Sequence, residues 1–293
     1  MSNNKIIPYF LCARLLLVVF LLQFAVSLFI KNYGGVFNNN LPTDYVYILL
    51  TQIVAVAIPC FLLCLGKKAG IKRTLRIKSI KMPAALRCIA LGFCLQPVAI
   101  LANVPLQRLA PKSVAIVKPP SDVTDVLLMA LIICVIPAVF EELLLRGMVL
   151  TSVRRKGYLF SIIVTTVLFI LMHADMYSVV GHIILGAAAA FAVLNTNSVL
   201  AGVLVHFSFN FCGVLIDFIS NKFYMWGGFV GGFGFFVILA IAGAILSCIL
   251  LYRLNNLKVK KYPSEDMFYN LCKAFFNIPV IIIIAIYVLH NVM

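Results

Sequence analysis

LLMALIICVIPAVFEELLLRGMVL, residues 127–150, decides how this chain folds. It opens on an unbroken apolar run, which suits a membrane-crossing helix of about 20 residues rather than a strand with alternating faces. It then carries Glu141, Glu142 and Arg146. A charged side chain at the centre of a bilayer helix costs about 2.5–3.5 kcal/mol on insertion scales. The whole chain has only three glutamates and four histidines, and two of the glutamates stand here. His173, His182 and His206 also lie inside apolar stretches. Ionisable groups placed at such cost point to a site.

Outward from this stretch, 63% of residues are hydrophobic and 11% charged, and the mean hydropathy is +1.10. That excludes a soluble globule. About nine apolar runs follow one another, at 7–30, 44–65, 83–104, 122–150, 159–174, 178–194, 197–220, 226–252 and 275–292. The runs at 159–174 and 178–194 are short. In lipid only helices and closed barrels satisfy their backbones, and continuous apolar runs rule out the alternating barrel pattern. The expected fold is all-α, a polytopic transmembrane helical bundle of about 8–9 spans. It divides into N-terminal helices over 1–120, a core over 121–220 and C-terminal helices over 221–293. The first run holds Arg14 and lacks a convincing cleavage motif, so it reads as a retained helix.

The formal net charge of +15 is concentrated in three loops: residues 67–81, residues 154–156, and Arg253 with Lys258, Lys260 and Lys261. Counting helices puts all three on one face. This is the positive-inside pattern, with a cytoplasmic N-terminus in a multi-pass cell-membrane protein. The basic loops are expected against anionic headgroups of the lipid bilayer, and nucleic acid is not an expected partner. The nine cysteines show no CxxC pair or metal-like spacing and read as reduced packing residues. Gly227, Gly228, Gly231, Gly232 and Gly234 have the small-residue spacing of a close helix contact.

Glu142 and Arg146 are four apart, so on a helix they share a face and can pair. Glu141 points about 100° away and is expected to stay free, facing a cavity. Pro137, one turn earlier, removes a backbone donor and favours a local kink. A purely structural ion pair would explain Glu142 and Arg146 but not the second glutamate. His206 and Asn210 also share a face, and each could be a satisfied contact between helices worth about 1 kcal/mol. His173 could equally be an interfacial residue, and His182 reads as packing or a helix–helix contact. Helical rise puts Glu141, His173 and His206 on the order of 15–25 Å from the basic face, so all three can meet near mid-membrane.

One carboxylate, two imidazoles and a carboxamide on three helices suit hydrolysis. A glutamate in an apolar pocket can serve as general base for water. His173 and His206 with a carboxylate also match a zinc site with an open position, and Asn210 can donate to an oxyanion. There is no HExxH helix, so a conventional zinc-peptidase site is not indicated.

EELLLR at 141–146, FILMH at 169–173 and HFSFN at 206–210 resemble, in order, the EExxxR, FxxxH and HxxxN motifs of the CPBP intramembrane proteases. That family includes type II CAAX prenyl endopeptidases and bacteriocin-processing or immunity proteins. The resemblance covers about 120–215 and implies intramembrane endopeptidase activity on a membrane-embedded or membrane-associated peptide or protein. It implies that Glu141 activates water, that Glu142 and Arg146 hold the site, and that His173, His206 and Asn210 bind a metal or stabilise the oxyanion. A divalent metal such as zinc and a metal-free mechanism stand equal, and a bacterial cytoplasmic membrane is implied by analogy. The competing reading is a non-catalytic immunity or scaffold protein of the same family. A transporter with an acid–base relay is less favoured, since it would carry broken helices in matching halves. No pattern in the sequence speaks to prenyl recognition or oligomeric state.

Overall fold

Apolar periods of membrane length become helices, and every spanning element takes that form. A computed structural model describes residues 7–33, 42–66, 71–109, 118–224, 229–255 and 266–292. Among them the chain is helical throughout, with no strand. Among the described residues seven helices are long and apolar enough to cross a membrane. They are α1 (Tyr9–Tyr33), α2 (Thr43–Leu65), α3 (Met82–Gln107), α4 (Val123–Lys156), α6 (Val179–Thr196), α7 (Val199–Tyr224) and α8 (Phe229–Asn255). Between α4 and α6 runs α5 (Tyr158–His173), whose 16 residues reach only about 24 Å. The expected last run splits into α9 (Met267–Phe275) and α10 (Ile278–Val292), bent by 70°. The bend follows from Pro279 and from Asn277, whose Oδ1 accepts the Val280 N–H at 3.2 Å and so starts a new helix. Counting the bent pair as one gives eight spans.

The interior lies among α3, α4, α5, α6 and α7. Leu91, Leu144, Leu145, Val164, Leu168, Phe169 and Val205 are buried there. Phe61, Leu62, Ile238 and Ile241 face outward, as lipid contact requires. A close backbone approach is made by Gly92, where a Cβ would collide with Val205 O and Ser208 on α7. Gly243 does the same against Cys94. The expected glycine contact near α8 lies largely outside the described residues, and Gly234 meets nothing within 4 Å. The cysteines read as packing residues are free thiols, most of them buried.

Three stretches widen to π-helical turns: Thr51–Ala57 in α2, and Ala130–Val135 and Leu143–Val149 in α4. The middle one precedes Pro137, the expected site of distortion, because proline has no N–H for the carbonyl of Ile133. At the basic end α4 tightens into a 3-10 turn, Arg154–Lys156, and reverses at Gly157 (φ 135°), a conformation that favours glycine. That reversal sets α5 antiparallel beside α4.

Candidate active site

Glu142 and Arg146 meet as their spacing predicts: Arg146 Nη1 donates to Glu142 Oε1 at 2.8 Å, and both residues are fully buried. A buried pair is favoured by further contacts of its polar atoms. Among the described residues Arg146 Nε and Glu142 Oε2 have none, and the remaining contacts are made by Arg146 Nη2 and Glu142 Oε1. Arg146 Nη2 donates to the Gly186 carbonyl on α6 at 2.8 Å, and its guanidinium lies 4.9 Å from the Phe169 ring centroid on α5. His206 Nδ1 on α7 stands 3.2 Å from Glu142 Oε1. The Glu142–Arg146 pair thus ties four helices. Gly202, one turn before His206, makes room for it: a Cβ there would stand 2.5 Å from Glu142 Oε2.

Glu141 points elsewhere, as the helical angle requires, but it is not free. Gln52 Nε2, from the π-helical turn of α2, donates to Glu141 Oε1 at 2.7 Å inside the bundle. The expected unpartnered glutamate is therefore corrected: one oxygen is held and the other is not. Oε2 accepts no hydrogen bond and lies 3.6 Å from His173 Nε2. His173 Nδ1 lies 2.9 Å from the Phe169 carbonyl, an atom that only accepts, so Nδ1 carries a proton and donates. This fixes the ring with Nε2 toward Glu141.

Phe169 explains its place four residues before His173. Its ring centroid lies 4.4 Å from that of His173, 5.6 Å from that of His206 and 5.9 Å from that of His182. His182 is the helix–helix contact expected of it, but the contact is with the site: its ring lies 4.3 Å from that of His173. No spacing rule pointed there, and its rarity as a histidine in an apolar helix was the only signal. Gln52 had none, since a lone glutamine in a second helix matches no motif.

Asn210 lies on α7 one turn beyond His206, and its Nδ2 donates at 3.3 Å to the Ile133 carbonyl, the acceptor that Pro137 leaves without a helical donor. One Nδ2 hydrogen is thereby used and a second remains. The tentative metal ligands His173 and His206 both pack against the Phe169 ring. Among the described residues no group of three His, Cys, Asp or Glu side chains could hold a metal ion. His206 Nδ1 is already turned to Glu142.

A charge-assisted hydrogen bond of the Gln52 kind is worth about 1.5–3 kcal/mol. Gln52→Leu is therefore expected to lower turnover about ten- to hundredfold, with Gln52→Asn partly restoring it. Initial rates on reconstituted protein check this.

Residues 123–212 match the model of a protein family described as type II CAAX prenyl endopeptidase Rce1-like. The matched segment holds Glu141, Glu142, Arg146, His173, His206 and Asn210 in order. Through this segment the chain is similar to the CAAX proteases. No curated protein and no solved structure matches the chain. Gln52, which α2 brings to Glu141, stands outside the matched segment.

Proposed function

We propose that this membrane protein is an intramembrane endopeptidase in which Glu141 activates water. The observation that carries the reading is the divided environment of Glu141, one oxygen fixed by Gln52 and the other open toward His173 Nε2. Water bound by Glu141 Oε2 and His173 Nε2 loses a proton to the carboxylate as its oxygen attacks the scissile carbonyl carbon. The second Nδ2 hydrogen of Asn210 and the His206 ring support the resulting oxyanion. Glu141 then passes its proton to the leaving amide nitrogen, the C–N bond breaks, and the carboxylate is regenerated. Glu142 and Arg146 act as positioning residues, since Glu142 touches His206 and Arg146 holds Glu142.

His173 and His206 are the residues that a metal would use, and a bound divalent ion would there polarise the water and the scissile carbonyl. The steps proposed above run through the chain's own groups. Exhaustive chelation of the reconstituted protein is expected to leave its turnover unchanged. Loss of activity that zinc restores would assign the two histidines to a metal instead.

The substrate is proposed to be a membrane-embedded or membrane-associated peptide or protein. The basic loops support an N-terminus on the cytoplasmic side of a cell membrane. Reconstitution with extracted membrane polypeptides in ¹⁸O-labelled water tests the hydrolytic reading. New internal carboxyl termini carrying ¹⁸O are expected. Their absence with the wild-type protein would favour a non-catalytic immunity or scaffold role on the same fold.

A further inference from the structure

Away from the site, three connections on the basic face converge on one residue, Asn197. Its Oδ1 accepts from Arg76 Nη2 at 2.8 Å and from Arg154 Nη1 at 3.1 Å. Arg76 follows the single turn Ile71–Thr74, Arg154 ends α4, and Asn197 closes α6. The junction is built rather than incidental. Val199 N–H donates to the Arg76 carbonyl at 3.1 Å, and Ser198 Oγ donates to the Lys78 carbonyl at 2.5 Å. Arg76 and Asn197 both hold left-handed backbone, φ 56° and 58°. Such strain persists only where surrounding contacts impose it. Leu75 is seated on α4 at Gly147, where a Cβ would come within 3.1 Å of Leu75 Cα.

The charge of Arg76 is not balanced among the described residues. Arg76 is 3% exposed and its Nη1 has no hydrogen-bond partner. Among the described residues no carboxylate pairs with it. The neutral amide oxygen of Asn197 does not compensate the Arg76 guanidinium. Leaving a buried cation without a counter-charge is costly. Exposed Lys72, Lys78, Lys81 and Arg155 raise the local positive potential further.

We propose that Arg76 and Arg154 form a binding site for a phosphate group, supplied by the headgroup of an anionic phospholipid. Guanidinium forks match phosphate oxygens in a bidentate manner that a lysine cannot reproduce. The junction lies where α4 and α6 end and α7 begins, which is headgroup level for helices that cross the membrane. The phosphate enters from the side of Arg154, which is half-buried. Bound there, it fastens the end of the helix carrying Glu141 and Glu142 to the start of the helix carrying His206 and Asn210. Lipid composition would then set how firmly the two halves of the site are held.

Full-length protein in nanodiscs of phosphatidylcholine, with or without phosphatidylglycerol, tests this by thermal midpoint at fixed ionic strength. Phosphatidylglycerol is expected to raise the wild-type midpoint by several degrees. Arg76→Gln and Arg154→Gln are each expected to lose that rise, while Lys72→Gln/Lys81→Gln keeps it. Inorganic phosphate added to phosphatidylcholine nanodiscs is expected to have little effect. A rise with inorganic phosphate equal to that with the lipid would overturn the headgroup as source. A rise preserved in both arginine variants, or lost equally in the lysine variant, would overturn the site, as would no rise in the wild type. Should Arg76→Gln fail to fold, Arg154→Gln decides alone.

Discussion

Glu141→Gln is expected to leave a folded, membrane-inserted protein whose turnover is lower by about 10²–10⁴-fold, the usual contribution of a general base. The substitution is chosen for shape. A glutamine at 141 still offers a carbonyl oxygen to Gln52 Nε2, so the 2.7 Å contact that holds the side chain survives. What disappears is the basic oxygen facing His173 Nε2 at 3.6 Å. Single-turnover cleavage in proteoliposomes reads the loss, and an unchanged thermal midpoint shows that it is chemical. Full activity in this variant would remove Glu141 from the reaction.

Arg146→Ala is expected to act through stability as well as rate. Truncation strands Glu142, fully buried, and frees the Gly186 carbonyl that joins α4 to α6. Removing one partner of a buried ion pair costs about 3–5 kcal/mol. It also leaves the Phe169 ring without the guanidinium packed on it. Reversible unfolding in mixed micelles measures the change. A midpoint equal to that of the wild type would mean that Glu142 is not held as a buried ion in the membrane. Lysine at 146 is expected to recover part of the stability, since a point charge cannot donate to Glu142 and Gly186 in the same planar geometry.

The helical membrane fold was legible because apolar length is a direct physical requirement of the bilayer. The exceptions lie where length and direction part: α5 is shorter than the hydrocarbon thickness, and α9 and α10 break at Asn277–Pro279. Within the site, the Glu142–Arg146 pair could be read from i,i+4 spacing, because both partners lie on one helix. The contacts that matter most to Glu141 come from other helices, and no periodicity encodes them. Gln52 is 89 residues away in sequence, and nothing in its own helix marks it. The contact of Asn210 with Ile133 follows from the missing donor of Pro137, which becomes visible only once α7 is seen to lie beside that turn. His182 was placed among helix contacts, and the structure gives that contact a partner, His173.

The central claim is that Glu141 drives cleavage of a membrane-associated polypeptide. Terminal-peptide proteomics of membrane and secreted fractions tests it most directly, comparing cells with the wild-type protein and cells with Glu141→Gln at matched abundance. The account predicts precursors that accumulate, and mature termini that vanish, only in the variant. Identical termini in both, together with a cellular phenotype that survives the substitution, would contradict it.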